Sequence, residues 1–224
     1  MGINYSPKIV TDGLVLYLDA ANPKSYPGTG TTWYDLSGYG EHGTILTGVT
    51  HDSSNKGSFN FNGNDQIITT SFNQILPNMT WDAWIYCNSS VNTYNLFMAQ
   101  YVPYFAFHSG TKLYFKISIG GTQQYVQTPT NLTLSTWYHA VFSIYFDSTN
   151  TTMKIYTNGI ETATGTFLGQ SGGGGNVFCV GDGRPTPYWY PFNGKVPSVK
   201  IYNRCLSVNE ILQNFNATRG RYGI

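Results

Sequence analysis

The stretch Trp137-Tyr-His-Ala-Val-Phe-Ser-Ile-Tyr-Phe-Asp-Ser-Thr-Asn-Thr-Thr-Met-Lys-Ile-Tyr-Thr-Asn-Gly-Ile160 decides the fold. Its first half, Trp137 to Phe146, is dominated by β-branched and aromatic side chains and holds no proline, glycine or glutamate. Such side chains fit a pleated surface and lose rotamer freedom in a helix. Asp147 to Asn150 then interrupts the run, because Asp, Ser and Asn bond back to their own backbone in turns. A second strand follows, with Met153 and Ile155 pointing one way and Thr152, Lys154 and Tyr156 the other. Asn158-Gly159 closes it as a tight turn, since both residue types tolerate positive φ. The first strand is apolar on both faces, which places it in the middle of a layered stack. The stretch reads as a core hairpin of an all-β domain.

Working outward, the same period of two recurs. Residues 13–19 alternate, with Leu14, Leu16 and Leu18 on one face and Val15 and Tyr17 on the other. In 79–87, Met79, Trp81, Ala83, Ile85 and Cys87 share one face and Thr80, Asp82, Trp84 and Tyr86 the other. In 113–119, Leu113, Phe115, Ile117 and Ile119 point inward, and Tyr114, Lys116 and Ser118 outward. Shorter strands are expected at 57–61, 66–70, 96–100, 104–108 and 177–180. The last, 196–202, is expected to be bulged or at a sheet edge near Pro197, which has no N–H to give a ladder. Residues 33–40 mix aromatics with turn residues and predict a packed loop. The long loop 181–191 is expected to join two neighbouring strands.

One helix is predicted over 207–217. Ser207 caps it, Glu210 three residues later completes a capping box, and Leu206 and Ile211 stand where a hydrophobic staple would be. Val208, Ile211, Leu212 and Phe215 give the stripe of a helix lying on a sheet. Gly220 supplies the stop. Many short strands and one helix predict an antiparallel two-sheet jelly-roll sandwich. No linker divides the chain, so 1–224 reads as a single domain with residues 1–12 as an N-terminal extension.

Charged residues make up only 10% of the 224, well below the roughly 25% of an average globular chain. A formal charge of +1 without a Lys/Arg cluster argues against nucleic acid and against anionic membranes, both of which need basic stripes. Cys87, Cys179 and Cys205 are odd in number and lack Cys-x-x-Cys spacing, so they read as free thiols, not as a disulfide framework or a zinc site. No apolar segment has the length of a signal peptide or a membrane span. Assembly in a cytoplasm is the expectation.

Residues 13–19, 58–65, 137–141, 153–159 and 199–207 (Val-Lys-Ile-Tyr-Asn-Arg-Cys-Leu-Ser) resemble, in order and spacing, the concanavalin-A-like and laminin-G-like jelly rolls. That resemblance implies the fold, while its members range over lectins, glycosidases, adhesion modules and structural proteins. Three further stretches, Tyr-Ser-Pro-Lys-Ile-Val-Thr-Asp-Gly-Leu (5–14), Asn-Pro-Lys-Ser-Tyr-Pro-Gly (22–28) and Asn-Phe-Asn-Ala-Thr-Arg-Gly-Arg-Tyr-Gly (214–223), are similar to stand-alone virion proteins of tailed bacteriophages. This narrower resemblance implies a structural protein of the virion, displayed on capsid or tail as a decoration or fibre module. Its partners would be other virion proteins. The rival reading is a carbohydrate-binding adhesion module for host surface glycans, and either could form a homo-oligomer.

Catalysis is not expected. A glycosidase needs two carboxylates flanking one bond, but Glu41, Glu161 and Glu210 each lack a second acid at i+2 or i+4. No nucleophile elbow accompanies the four histidines, and His139 reads as a structural core residue. Calcium would want Asp65 in the turn 62–65, or Asp182 at the rim, since family members often hold it there. For both, the Asx-turn role is preferred, so no cofactor is expected. For a ligand or partner, Asp182, Arg184, Tyr188, Trp189 and Tyr190 combine stacking surface with hydrogen-bonding groups. Tyr101, Tyr104 and His108 form a second, weaker cluster.

Overall fold

The computed structural model describes residues 7–46, 48–64, 68–90, 94–100, 102–172, 176–182 and 190–224. In chain order the early strands are β1 (Leu14–Asp19), β2 (Thr32–Trp33), β3 (Gly43–Ile45), β4 (Thr50–Asp52), β5 (Ser58–Asn62) and β6 (Ile68–Thr70). Next come β7 (Met79–Cys87), β8 (Tyr94–Ala99), β9 (Tyr104–His108), β10 (Lys112–Ile119) and β11 (Thr122–Gln127). The remainder are β12 (Trp137–Phe146), β13 (Asn150–Thr157), β14 (Ile160–Leu168), β15 (Ser171–Gly172), β16 (Cys179–Val180) and β17 (Asn193–Tyr202), followed by helix α1 (Val208–Thr218). Among the described residues they form two antiparallel sheets. One runs β14-β13-β12-β7-β17-β5-β4 with β1 also on β17; the other runs β11-β10-β9-β8-β16-β6-β3-β2 with β15 on β10. This is the expected jelly-roll sandwich.

The founding hairpin sits where its composition demands. β12 lies between β13 and β7. Its inward side chains Ala140, Phe142 and Ile144 enter the inter-sheet core with Phe105, Phe115 and Trp81. Its other face is also covered: Val141 packs with Ile211 of α1, and Trp137 packs with Trp84, Phe215 and Tyr222. A third layer therefore explains a strand that is apolar on both sides. The turn into β13 is held by Asp147, whose Oδ1 accepts the Thr149 and Asn150 N–H groups at 2.9 and 2.7 Å. Asn158 and Gly159 take φ of 52° and 81° in the two-residue turn to β14.

Helix α1 carries the predicted capping box. Ser207 Oγ accepts the Glu210 N–H at 3.4 Å, and Glu210 Oε2 accepts the Ser207 N–H at 2.8 Å. Arg204 locks that carboxylate bidentately at 3.0 and 2.6 Å. The buried face, however, is Ile211, Asn214 and Phe215, while Val208 and Leu212 remain 50% and 40% exposed. The expected apolar stripe is off by a fraction of a turn because Asn214 is turned inward. The α-helix ends at Thr218, as expected, but not through a left-handed Gly220: a 3₁₀ turn, Arg219–Arg221, follows, and the left-handed glycine comes later, at Gly223 with φ 73°.

Two other expectations are corrected, and a third is narrowed to one of its alternatives. A register shift between Leu14 and Leu16 moves Leu14 out of the inter-sheet core to the helix side, beside Val10, Tyr202 and Ile211. For β17 the bulged alternative holds and the edge alternative does not. β5 pairs with it through Asn193–Val196, and β1 takes over from Ser198, on the flank opposite β7. Pro197 falls at the handover, inside a bulge between Lys195 and Ser198, where no ladder N–H is required. Finally, β16 and β17 belong to different sheets. The long loop between them is a crossover, not an extended hairpin.

Candidate functional site

The outer face of the second sheet is where polar and aromatic groups accumulate. Because opposite residues of an antiparallel pair share a face, the register can be read directly. Tyr94 lies opposite His108 and His108 opposite Lys112; Leu96 lies opposite Ala106, Ala106 opposite Tyr114 and Tyr114 opposite Gln127. Next, Tyr104 lies opposite Lys116 and Lys116 opposite Tyr125. Ser118 opposite Gln123 closes the array. These four strands, β8 to β11, contain no aspartate or glutamate.

The rings support one another. Tyr94 stacks on His108 with centroids 4.5 Å apart and meets Tyr114 at 5.5 Å. Tyr114 stacks on Tyr125 at 5.0 Å, and Tyr125 is 52% exposed. Lys116 Nζ stands 5.9 Å from the Tyr104 ring centroid. Burial, with Tyr94, Tyr104 and Tyr114 crowded together, pushes the Tyr104 and Tyr114 hydroxyls well above their ordinary range. They stay protonated at neutral pH, able both to donate and to accept hydrogen bonds. Ala99 and Ala106 lie between the large side chains and leave room above the sheet.

The two residue groups read separately from the sequence converge here. Tyr190 packs its ring 5.0 Å from Tyr94, its carbonyl accepts the Leu96 N–H at 2.9 Å, and Pro191 bridges to Leu96. Tyr190 thus joins Tyr104 and His108 on one surface. Asp182 is fully buried, and its Oδ1 accepts the Tyr190 N–H at 3.4 Å. It supports the loop end from below instead of facing a ligand. Arg184, Tyr188, Trp189, Asp65 and Tyr101 lie outside the described residues. Tyr94, Tyr114 and Tyr125 were missed as site residues; the outward placement of Tyr114 and Lys116 was the available signal.

A second polar cluster lies under α1 on the other sheet. Asp82 Oδ1 receives a hydrogen bond from Lys200 Nζ at 2.8 Å, and His139 Nε2 stands 3.1 Å from Asp82 Oδ2. Asn214 Nδ2 donates to Asp82 Oδ2 and is 2.9 Å from the Tyr202 hydroxyl, which itself donates to the Val10 carbonyl at 3.0 Å. Asp82, His139, Lys200 and Asn214 are all fully buried, so this constellation is closed to any substrate and serves packing. Burial raises the Asp82 carboxyl, but the Lys200 ammonium and His139 outweigh it and hold it well below the carboxylate range. The three cysteines are free, and burial pushes the Cys87 and Cys179 thiols up to about 12. Among the described residues no three His, Cys, Asp or Glu side chains are placed to share a metal. No described helix is long and apolar enough to cross a membrane.

Comparison with known proteins gives one family. The profile described as the concanavalin A-like lectin/glucanases superfamily matches residues 61–212. A comparison with curated protein sequences gives no match. Among solved structures, the receptor binding domain of botulinum neurotoxin type G superposes with a TM-score of 0.68 at 14% identity, covering 91% of this chain and 51% of that one. Domain 4 of AbnA, an extracellular arabinanase of Geobacillus stearothermophilus solved with arabinotriose, gives 0.67 at 17% identity, covering 90% and 97%. Trypanosoma rangeli sialidase in complex with sialic acid gives 0.63 at 14%, covering 93% and 33%. The chain spans about half the length of the neurotoxin domain. At these identities the likeness is one of fold.

Proposed function

The chain belongs to the concanavalin A-like lectin/glucanases superfamily, and from that premise we propose that it is a non-enzymatic carbohydrate-binding module whose ligand lies on the tyrosine face. The observation that carries the reading is the composition of that face: tyrosine rings interleaved with Lys112, Lys116, Gln123 and Gln127 on one sheet face. Sugar rings present apolar C–H faces and outward hydroxyls, which this alternation of aromatic and amide or ammonium groups suits. Two lysines and a histidine with no acid on the same four strands favour an acidic saccharide. The arabinanase domain, of which the match covers 97%, was solved with arabinotriose, and that supports a saccharide ligand.

Display on a tailed-phage particle, as a decoration or fibre module assembled in the host cytoplasm, is proposed on the sequence resemblance. One observation favours it. The phage-like stretches at the two ends of the chain are tied together: the Val10 N–H donates to Asn214 Oδ1 at 2.8 Å, and Gln213 Nε2 to the Lys8 carbonyl at 2.7 Å. A mount on that side would leave the tyrosine face, on the opposite sheet, free.

The test is retention on immobilised sialylated and neutral oligosaccharides. Tyr125→Ala combined with Lys116→Ala should weaken binding to sialylated glycans at least tenfold while the melting temperature holds. Undiminished binding by that variant would remove the tyrosine face from the proposal.

A further inference from the structure

Far from the tyrosine face, the loop between β2 and β3 is built with unusual economy around one carboxylate. Asp35 Oδ1 accepts the Tyr17 and Ser37 N–H groups at 2.8 and 2.9 Å. Asp35 Oδ2 accepts the Ser37 hydroxyl at 2.6 Å and the Gly40 and Glu41 N–H groups at 3.0 and 3.2 Å. The loop is also pinned to β1, where the Leu36 N–H donates to the Tyr17 carbonyl and Ser37 Oγ lies 3.1 Å from the Val15 carbonyl, an alternative acceptor for its single hydrogen. Gly38 and Gly40 adopt φ of 97° and 77°, left-handed positions that a side chain would strain. The product of this bracing is an almost naked ring: Tyr39, held at the loop tip, is 68% exposed.

Folding alone gives no reason to brace an exposed ring, since burying Tyr39 would stabilise the chain more. Beside it lies a cavity of about 280 Å³ lined by Val15, Phe72 and Leu76 below and by Glu41, Gln74 and Asn203 at the edge, near the small end of ligand clefts. Glu41 takes a hydrogen bond from the Ser71 hydroxyl, which leaves its other oxygen for a ligand. Among the described residues it has no cationic partner. The parts are an aromatic face for C–H contact, an apolar floor, a carboxylate oxygen able to accept a sugar hydroxyl, and two amides that both donate and accept.

We infer that this pocket is a second saccharide site, specific for an uncharged sugar ring. The unpaired negative charge of Glu41 selects against acidic sugars, in contrast with the basic tyrosine face. The inference shares the carbohydrate-binding reading but rests on different residues, so either site can fail alone. A rigid tyrosine gives large contact area with little entropy to lose on binding, and the Asp35 bracing supplies that rigidity.

The experiment is an array of glucose-, galactose- and mannose-terminated neutral oligosaccharides beside sialylated ones, with near-ultraviolet circular dichroism to confirm folding. Tyr39 and Glu41 are outside the core, so Tyr39→Ala and Glu41→Gln should each fold and each lose at least tenfold in affinity for the neutral sugar bound by the parent. The Tyr125→Ala, Lys116→Ala variant should keep that affinity. Absence of neutral-sugar binding by the parent, or its survival in both Tyr39→Ala and Glu41→Gln, overturns the pocket. Loss of sialylated ligands alone in the tyrosine-face variant bears only on the other site.

Discussion

At the scale of single residues, the most consequential group is the buried Asp82. Its carboxylate is matched by Lys200 and held in place by Asn214 and His139, with none of the four open to water. Lys200→Met would strand a buried charge and should cost about 3–5 kcal/mol in chemical denaturation. Asp82→Leu with Lys200→Met should cost much less than the two single changes added together. Additive costs would show that the pair is not coupled. Acid has a defined sign here. Hydrogen bonds from Arg204 and the Ser207 cap outweigh the opposing effect of burial and lower Glu210 to about 2, and the hydrogen bond from Lys195 lowers Asp52 to about 2. Folded values below the ordinary ones mean stability that is complete above about pH 4.5 and lost as pH falls toward 2. Glu210→Gln should flatten part of that decline, by about 1 kcal/mol for a partly exposed pair. An unchanged slope would mean that the Arg204 bridge contributes nothing.

At the scale of elements, legibility followed local period. β7 and β10 were read correctly face by face, because each alternates without a bulge over eight or nine residues. Leu14 was misjudged because a bulge resets parity, and parity is all that a strand pattern carries; the bulge in β17 was legible because Pro197 lacks the N–H of a ladder. The two-residue strands β2, β15 and β16 have too few positions to show any period. Helix α1 was legible from its cap, but its buried Asn214 was not, since its partners Asp82 and Tyr202 are brought there only by the sheet. The tyrosine face was half legible for the same reason: β10 announced its outward side, but that Tyr94, Tyr104 and Tyr190 would gather beside it depends on strand order. The bulged end of β17 offers a sharp check. A Cβ on Gly194 would fall 2.1 Å from the Tyr86 carbonyl oxygen and 2.6 Å from the Phe192 ring. Gly194→Ala should therefore lower stability by about 1–3 kcal/mol. A variant melting with the parent would show that the strand can shift aside.

At the scale of the whole molecule, stability should owe nothing to metal. Chelation with EDTA is expected to leave the melting temperature where it was. A fall of many degrees reversed by calcium would overturn this, since an ion at about 100 times its dissociation constant adds roughly 2.7 kcal/mol. The arrangement of β17 also has a consequence in time. One strand is flanked end to end by β5 and β1 and on its other side by β7, so three earlier segments wait for it. At roughly 5–20 residues per second of synthesis, the roughly 180 residues separating β1 from its partner take on the order of ten to forty seconds to appear. Until then β1 has no edge to join and its leucines stay open to chaperones and proteases. Ribosome-arrested chains that end short of residue 193 should be cut within 14–19, and chains with 193–202 clear of the exit tunnel should resist.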